Sequence, residues 1–401
     1  MIAVGIDVSK SKSTVSILNG DGSIRAKPFD VHHVADELQA LVDYIKRTSE
    51  PPTILMEPTS HYHYPLLKAF TEAELPVCLI NPYQMKKYGD TELRKAKTDK
   101  RDSLRIAQYA LEKSYSLIPY TPQDQKYEDL RFLSRQYSQR ISTLTVAKVQ
   151  LLSLLDETMP GITTILPLKS RDPDNCVLLR FIKRFIKRFK SFDVIRKMGK
   201  TRFLDSYQVL VKKTKDRFAG SKGLAIYELV LNSVTTREEN PLSAMTQDQC
   251  VDLVSTSQKA ADEINLQMRI IAETMPEYKV LRSMAGVGDR LGPIILGEIG
   301  DIRRFHSGKA LNAYAGNDAP PYQSGQFESR NRHISKRGNP ALRKACFEVM
   351  QALKLTKPQD DPVYLFLLKK EQEGKPYNVA KMAAVNKFLR IYYARAMELY
   401  K

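Results

Sequence analysis

The first nine residues, Met1-Ile-Ala-Val-Gly-Ile-Asp-Val-Ser9, constrain what this chain can become more than any other stretch. Ile2, Val4, Ile6 and Val8 form an apolar run of strand length, interrupted by Gly5 and Asp7. A carboxylate inside a buried strand is costly unless a cation compensates its charge. Polar Lys10–Ser13 leads into a second apolar run, Thr14–Leu18. The turn dipeptides Asn19-Gly20 and Asp21-Gly22 then precede a third strand over Ser23–Val31. The spacing predicts an antiparallel meander with one carboxylate at its centre. Asp7 is either a turn or capping residue, or a metal ligand whose partners come from elsewhere in the chain.

From His32 to Arg47, Val34, Leu38, Leu41, Val42 and Ile45 recur at helical spacing. Thr53–Ser60 reads as an apolar strand ending on Glu57, with Pro58 enforcing the exit. A helix over Tyr64–Ala73 and a short buried strand over Pro76–Pro82 follow. The order β-β-β-α-β-α-β-α is that of a mixed α/β, RNase H-like layer rather than a doubly wound one. In such a sheet Asp7 and Glu57 lie side by side. Thr98 is placed to cap a helix running to Glu112, and Asp99 and Asp102 project from one face of its first turn. Either acid alone could merely answer the helix dipole. Four acids together cannot stay ionised without cations, and hard oxygen donors suit Mg²⁺, with Mn²⁺ as the alternative. Two such ions about 3.5–4 Å apart clamp the attacking and leaving oxygens of a phosphodiester.

The charge balance asks for a polyanionic partner: 63 Lys and Arg stand against 45 Asp and Glu, a net +18. Lys86, Lys87, Arg94, Lys97 and Arg101 lie between the acids, interleaved with Tyr83 and Tyr88, a mixture suited to phosphate contact and base stacking. Cys78, Cys176, Cys250 and Cys346 form no CxxC pair, which argues for a reducing cytoplasm and against a zinc module. No apolar run approaches the roughly 20 residues of a membrane span, and no secretory pattern opens the chain. A soluble intracellular protein is expected.

Residues 1–118 are thus expected to form the α/β domain, followed by a linker containing Pro119 and Pro122. Leu130, Leu133, Tyr137, Ile141, Leu144, Ala147 and Leu151 recur at threes and fours within Tyr127–Thr158, and Pro160-Gly161 ends the pattern. With Asp252–Thr274 returning antiparallel, 119–160 and 251–278 read as a helical, coiled-coil stalk. Between them lies a basic insertion, 161–250. Gly161–Gly223 alone holds 17 Lys and Arg against 5 Asp and Glu, so 12 of the 18 excess charges. Its centre, Phe181-Ile-Lys-Arg-Phe-Ile-Lys-Arg-Phe-Lys190, repeats every four residues. That period lays Phe181, Phe185 and Phe189 in one stripe, with Lys183, Arg184, Lys187 and Arg188 facing a phosphate backbone. A membrane-surface helix is the alternative. The remainder, 279–401, reads as a mainly α domain. In it Gly286 and Gly288, between helical stretches, mark a helix-hairpin-helix whose backbone N–H groups approach phosphate. Lys336, Arg337 and Asn339, just before a helix beginning at Pro340, would form a further phosphate site. Ser324, before Gly325 in an exposed loop, is a candidate nucleophile.

Taken as a set, Gly-Ile-Asp-Val-Ser-Lys10, Met56-Glu-Pro-Thr-Ser60, Lys97-Thr-Asp-Lys-Arg-Asp102, Ala313-Tyr-Ala-Gly316, Gln323-Ser-Gly325 and Ile334-Ser-Lys-Arg-Gly-Asn339 resemble one family. It is the DEDD transposases of the IS-one-ten and IS-eleven-eleven insertion sequences, relatives of the Piv-type DNA invertases. The match covers 1–160 and 252–356. The resemblance implies a RuvC-like N-terminal domain, a coiled-coil stalk and a C-terminal transposase domain carrying the helix-hairpin-helix. It implies that Asp7, Glu57, Asp99 and Asp102 hold Mg²⁺ and that Ser324 attacks and becomes joined to DNA. Its partners would be donor and target double-stranded DNA, an element-encoded bridge or seek RNA that pairs with both, and further copies of the chain as a dimer of dimers. The setting would be the nucleoid of a bacterium or archaeon. A metal-only RuvC-type Holliday-junction nuclease also accounts for the acids, but leaves the Gln-Ser-Gly and Lys-Arg-Gly-Asn motifs idle. A sugar kinase of the actin-like fold would need a second Asp-x-Gly phosphate loop and a glycine-rich adenosine site, and neither is present. A non-catalytic scaffold would not need four acids at these positions.

Overall fold

β1 (Ile2–Val8) is the hub of a five-stranded sheet. On one side it pairs antiparallel with β2 (Lys12–Leu18), which carries β3 (Ile24–His32). On the other it pairs parallel with β4 (Pro52–Met56), which carries β5 (Val77–Leu79). The order β3-β2-β1-β4-β5 is that of the RNase H-like sheet expected from the sequence. A computed structural model describes residues 1–48, 50–89, 98–167, 177–214, 220–320, 323–324, 327–328 and 333–401, with the backbone alone for 177–180, 323–324 and 327–328.

The pleat sorts β1 onto two cores. Ile2, Val4, Ile6 and Val8 pack with Leu38, Leu41 and Val42 of α1 (Ala35–Lys46) and Leu66, Leu67 and Phe70 of α2 (Tyr64–Glu72). Ala3, Leu55 and Cys78 face the other way, onto Ile106, Ala107 and Ala110 of α4 (Asp99–Glu112) and Met85 of α3 (Pro82–Gly89). α3 was not legible as a helix among its lysines and tyrosines. Asn81 starts it, its side chain accepting from Tyr83 N at 2.9 Å, with Pro82 at the first helical position. α4 lies so close on β1 that a Cβ built on Gly5 would stand 2.1 Å from Ala107 N and 2.3 Å from Ser103 O. The hydroxyls of Ser16 and Ser103 close this seam at 2.7 Å.

The chain divides into two compact units, 1–122 and 123–401. The second begins with α5 (Gln125–Thr158), capped by Asp124, and Gly161 at φ +78° ends the segment. α6 (Ile162–Ile165), α7 (Val177–Phe189), α8 (Phe192–Met198), α9 (Lys200–Thr214) and α10 (Gly223–Asn232) follow as a helical cluster. α11 (Pro241–Glu273) then packs lengthwise along α5. It starts at Pro241 rather than near 251, because Asn240 and Ser243 cap it reciprocally and Pro241 fixes its first turn. Phe181, Phe185 and Phe189 are wholly buried beside Phe203 and Tyr207. Among the described side chains of α7 this leaves no free apolar face for the membrane-surface alternative, and no helix among the described residues is long and apolar enough to cross a membrane.

α12 (Pro276–Arg282), α13 (Leu291–Ile299) and α14 (Gly308–Tyr314) lead to the two-residue strands β6 (Gln323–Ser324) and β7 (Phe327–Glu328). α15 (Pro340–Thr356), α16 (Pro362–Gln372) and α17 (Tyr377–Met397) complete a helical core against α5 and α13.

The Gly5 contact generates a stability prediction. Gly5→Ala forces α4 off the sheet and should lower the unfolding free energy by about 3 kcal/mol, the upper range for overpacking a close-packed interior. Urea unfolding of wild type and variant measures it; a loss below about 0.5 kcal/mol would mean that α4 does not rest on Gly5.

Candidate functional site

Parallel pairing sets Ile6 opposite Met56, so Asp7 and Glu57 follow side by side on neighbouring strands. β4 ends at Met56, one residue short of Glu57, as Pro58 demands. α4 runs antiparallel to β1: Ser103 and Ala107 cross Gly5, while Leu111 reaches toward Gly22 in the β2–β3 turn. Its first turn therefore lies over the end of the sheet where Asp7 and Glu57 stand. Thr98 caps it, accepting from Arg101 N at 3.3 Å. The backbone thus brings the four acids to one end of one sheet.

Their side chains are already engaged. Asp102 is ion-paired to Arg105 Nη1 at 2.9 Å, both half-buried. Asp99 is exposed, and its charge reaches Lys12, whose own partner is Asp30 at 2.5 Å. Asp30 also accepts from Thr14 Oγ1 at 2.8 Å, and Thr14 sits opposite Asp7. Lys12 and Thr14 hold the Asp30 carboxyl below its usual range. Thr14, Asp30 and Arg105 were missed in the sequence; an Arg three residues after Asp102 was the one signal available. A donor set of four carboxylates, with no nitrogen or sulfur among them, fits a hard divalent ion. As the side chains stand, no three His, Cys, Asp or Glu among the described residues gather into a ligand group. Arg105 holds one oxygen of Asp102, Oδ1.

Of the nearby cations, Lys86, Lys87 and Arg101 are exposed, while Arg94 and Lys97 lie outside the described residues. On α7, Arg184 is exposed, Lys187 pairs with Asp252 at 2.5 Å and Arg188 donates to Ser206.

In the second unit two sequence motifs fold against each other. Tyr314 O accepts from Asn339 N at 2.6 Å, Gly316 O from Lys336 N at 3.0 Å, and Asp318 O from Ser335 N at 2.7 Å. Gly338 makes this possible: a Cβ there would stand 2.0 Å from Tyr314 O. The pairing closes the base of the loop that bears Ser324. Within it β6 and β7 pair antiparallel, Ser324 opposite Phe327; Gly325 lies outside the described residues.

Lys336 and Arg337 are exposed at the loop base. Asn339 is a correction. Its carbonyl oxygen caps α15, accepting from Ala341 N and Leu342 N, and its amide donates to buried Glu298 at 2.7 Å, so the side chain is spent inside the fold. Gly286 is a second. At φ +80° a Cβ there would press on Val349 O at 3.0 Å, so its glycine serves packing on α15, whereas Gly288 faces open space.

Residues 4–160 match a family model described as a transposase of the IS110 DEDD type, and 278–364 match one described as transposase, IS116/IS110/IS902 family. The mini-circle protein assigned to IS117 as its transposase in Streptomyces coelicolor is 24% identical over 400 residues, covering 96% of this chain and 91% of that protein. The 43.6 kDa protein of insertion element IS110 from the same organism is 24% identical over 298 residues, 73% of this chain and 69% of its own. Among solved structures, RuvC of T. thermophilus in complex with a Holliday junction substrate aligns with 30% of this chain and 99% of its own, at 15% identity and a TM-score of 0.24.

The α7 surface makes a measurable prediction. Replacing Lys183, Arg184, Lys187 and Arg188 together by Gln should reduce the slope of log affinity for DNA or RNA against log salt. The reduction should be at least one phosphate's worth, roughly 0.7–0.9. An unchanged slope would remove this helix from the nucleic-acid surface.

Proposed function

Because the chain belongs to the IS110 family of insertion-sequence transposases, enzymes that cut and rejoin DNA, we propose that Asp7, Glu57, Asp99 and Asp102 hold divalent cations and that Ser324 is the nucleophile. The reading rests above all on α4, whose antiparallel course over Gly5 carries Asp99 and Asp102 to the sheet end that bears Asp7 and Glu57. Bound Mg²⁺ or Mn²⁺ would neutralise phosphate charge and stabilise the leaving oxygen. The strands fix Asp7 and Glu57, while Arg105 holds Asp102 in reserve. The Ser324 Oγ–P bond forms as the P–O3′ bond breaks, leaving the protein joined to one DNA end, and the serine proton passes to the departing 3′ oxygen. Lys336 and Arg337, at the base of that loop, grip the flanking phosphates.

The substrates are donor and target double-stranded DNA, selected by pairing with an element-encoded guide RNA. The net charge of +18 supports a nucleic-acid partner. α12 and α13, with Gly288 at the exposed bend, act as a helix-hairpin-helix phosphate contact. α5 and α11 act as a coiled-coil stalk joining copies of the chain as a dimer of dimers. Val146, Val149 and Leu253, apolar yet exposed along that pair, support the assembly.

Two variants separate the parts of this reading. Asp7→Asn should slow DNA cleavage at least about a hundredfold, the scale of losing one transition-state charge stabiliser, with DNA binding retained. Unchanged cleavage removes Asp7 from the site. Ser324→Ala should bind DNA and form no covalent adduct on denaturing electrophoresis with protease treatment. Wild-type cleavage by Ser324→Ala, with no adduct in either protein, would make this a metal-only nuclease.

A further inference from the structure

A cavity of about 750 Å³ opens between α5, α13 and α15, and none of the residues assigned above to metal, nucleophile or phosphate lines it. One of its lining groups is Glu298, whose side chain is wholly buried. Oε2 accepts from Asn339 at 2.7 Å. Oε1 has no hydrogen bond among the described residues; it is ion-paired to Arg135 Nε at 3.7 Å, longer than a hydrogen bond. A buried carboxylate oxygen without a hydrogen bond, on a residue that lines a cavity, leaves room for a donor from a bound molecule. Tyr137 lines the cavity as a half-buried aromatic ring; burial pushes its hydroxyl up, and Arg290 beside it acts the other way. Arg135, Arg140, Arg290 and Lys344 add four cations to the lining, against the carboxylates of Glu298 and Glu348. The surplus of positive charge disfavours a metal ion or a basic side chain as occupant.

What such a cavity offers is an acceptor, an aromatic face and a cationic rim. These match the amino edge, the ring and the phosphates of one nucleotide in a strand. We propose that the cavity takes an unstacked nucleobase with an exocyclic amino group, drawn from a single-stranded stretch of bound nucleic acid. Its amino group donates to Glu298 Oε1, its ring lies on Tyr137, and the flanking phosphates meet the cations. Uracil and thymine have no amino group and flank their one donor, N3–H, with two carbonyl oxygens that the carboxylate repels, so they bind less tightly. Asn339 and its cap on α15 serve this as positioning groups. The proposal rests on the reading of the protein as nucleic-acid-binding, but on neither the acids nor Ser324.

Fluorescence anisotropy with the full chain tests it, using labelled all-cytidine and all-uridine oligoribonucleotides of roughly a dozen residues. The cytidine strand should bind about tenfold more tightly, within the range of one well-made base contact. Glu298→Gln keeps the shape and an oxygen for Asn339 while presenting an amide N–H₂ to the base, so the ratio should fall to about one or invert. Photocrosslinking of a 5-iodocytidine strand to the wild type should label the peptide containing Tyr137, a readout that does not depend on the variant folding. Equal affinity for the two strands, an unchanged ratio in Glu298→Gln, or crosslinks only elsewhere would overturn the pocket while leaving the nucleic-acid reading intact. Free CMP competing as well as the strand would make the occupant a mononucleotide and overturn the strand-bound form. Failure of both strands to bind at all would overturn the nucleic-acid reading along with it.

Discussion

The contact of α4 with Gly5 is the constraint on which the N-terminal unit depends. A helix normally rests on a sheet through side chains, but here the backbone at Ser103 and Ala107 comes down on a strand position with no Cβ. Any other residue would lift the helix. The Ser16–Ser103 hydrogen bond then keeps the polar atoms of the seam satisfied. Because the crossing point and the direction of α4 are both set there, so is the position of its first turn. Two acids of that turn and two acids at strand ends are carried to the same end of the sheet as a consequence of one glycine.

The second unit is governed by a different economy, that of buried carboxylates. Glu277 is nearly inaccessible and accepts from the hydroxyls of Tyr127 and Tyr400, tying α12 to the start of α5 and to the chain end. Burial together with that carboxylate pushes the Tyr400 hydroxyl up to about 12. Glu298 has one oxygen held by Asn339 and the other without a hydrogen bond. A buried charge needs its full complement of donors to be tolerated. Both hydroxyls meet Glu277 at one oxygen and its Oε2 also lacks a hydrogen bond, so what singles out Glu298 is that it lines a cavity.

Surface cations show why a charge count is a poor guide to individual contacts. Lys183, Arg184, Lys187 and Arg188 look equivalent in a repeat of period four. In the fold Lys187 is drawn to Asp252 and Arg188 to Ser206, both far off in sequence, while Arg184 stays exposed. Asn339 belongs with them. A polar residue before a helix reads as a phosphate contact or as a cap, and only the neighbouring Glu298 decides which.

The sequence by itself determined the sheet and its order, because alternation along Ile2–Val8 and the turn dipeptides after Leu18 are local signals with a period of two. It also set the strand end after Met56, through Pro58, and the start of α4, through the cap at Thr98, and it laid the phenylalanines of α7 in one stripe by their spacing. Tertiary structure alone decided what those groups then touch. Thr14 between Asp7 and Asp30, Gly338 against Tyr314 and the approach of Asn339 and Arg135 to Glu298 all depend on distances between segments separated in sequence, while Arg105 on Asp102 is a choice of side-chain partner within one helix. Periodicity records which face a residue occupies and carries nothing about its partner across the gap. The partner is set by packing, and packing is decided only when the whole core closes.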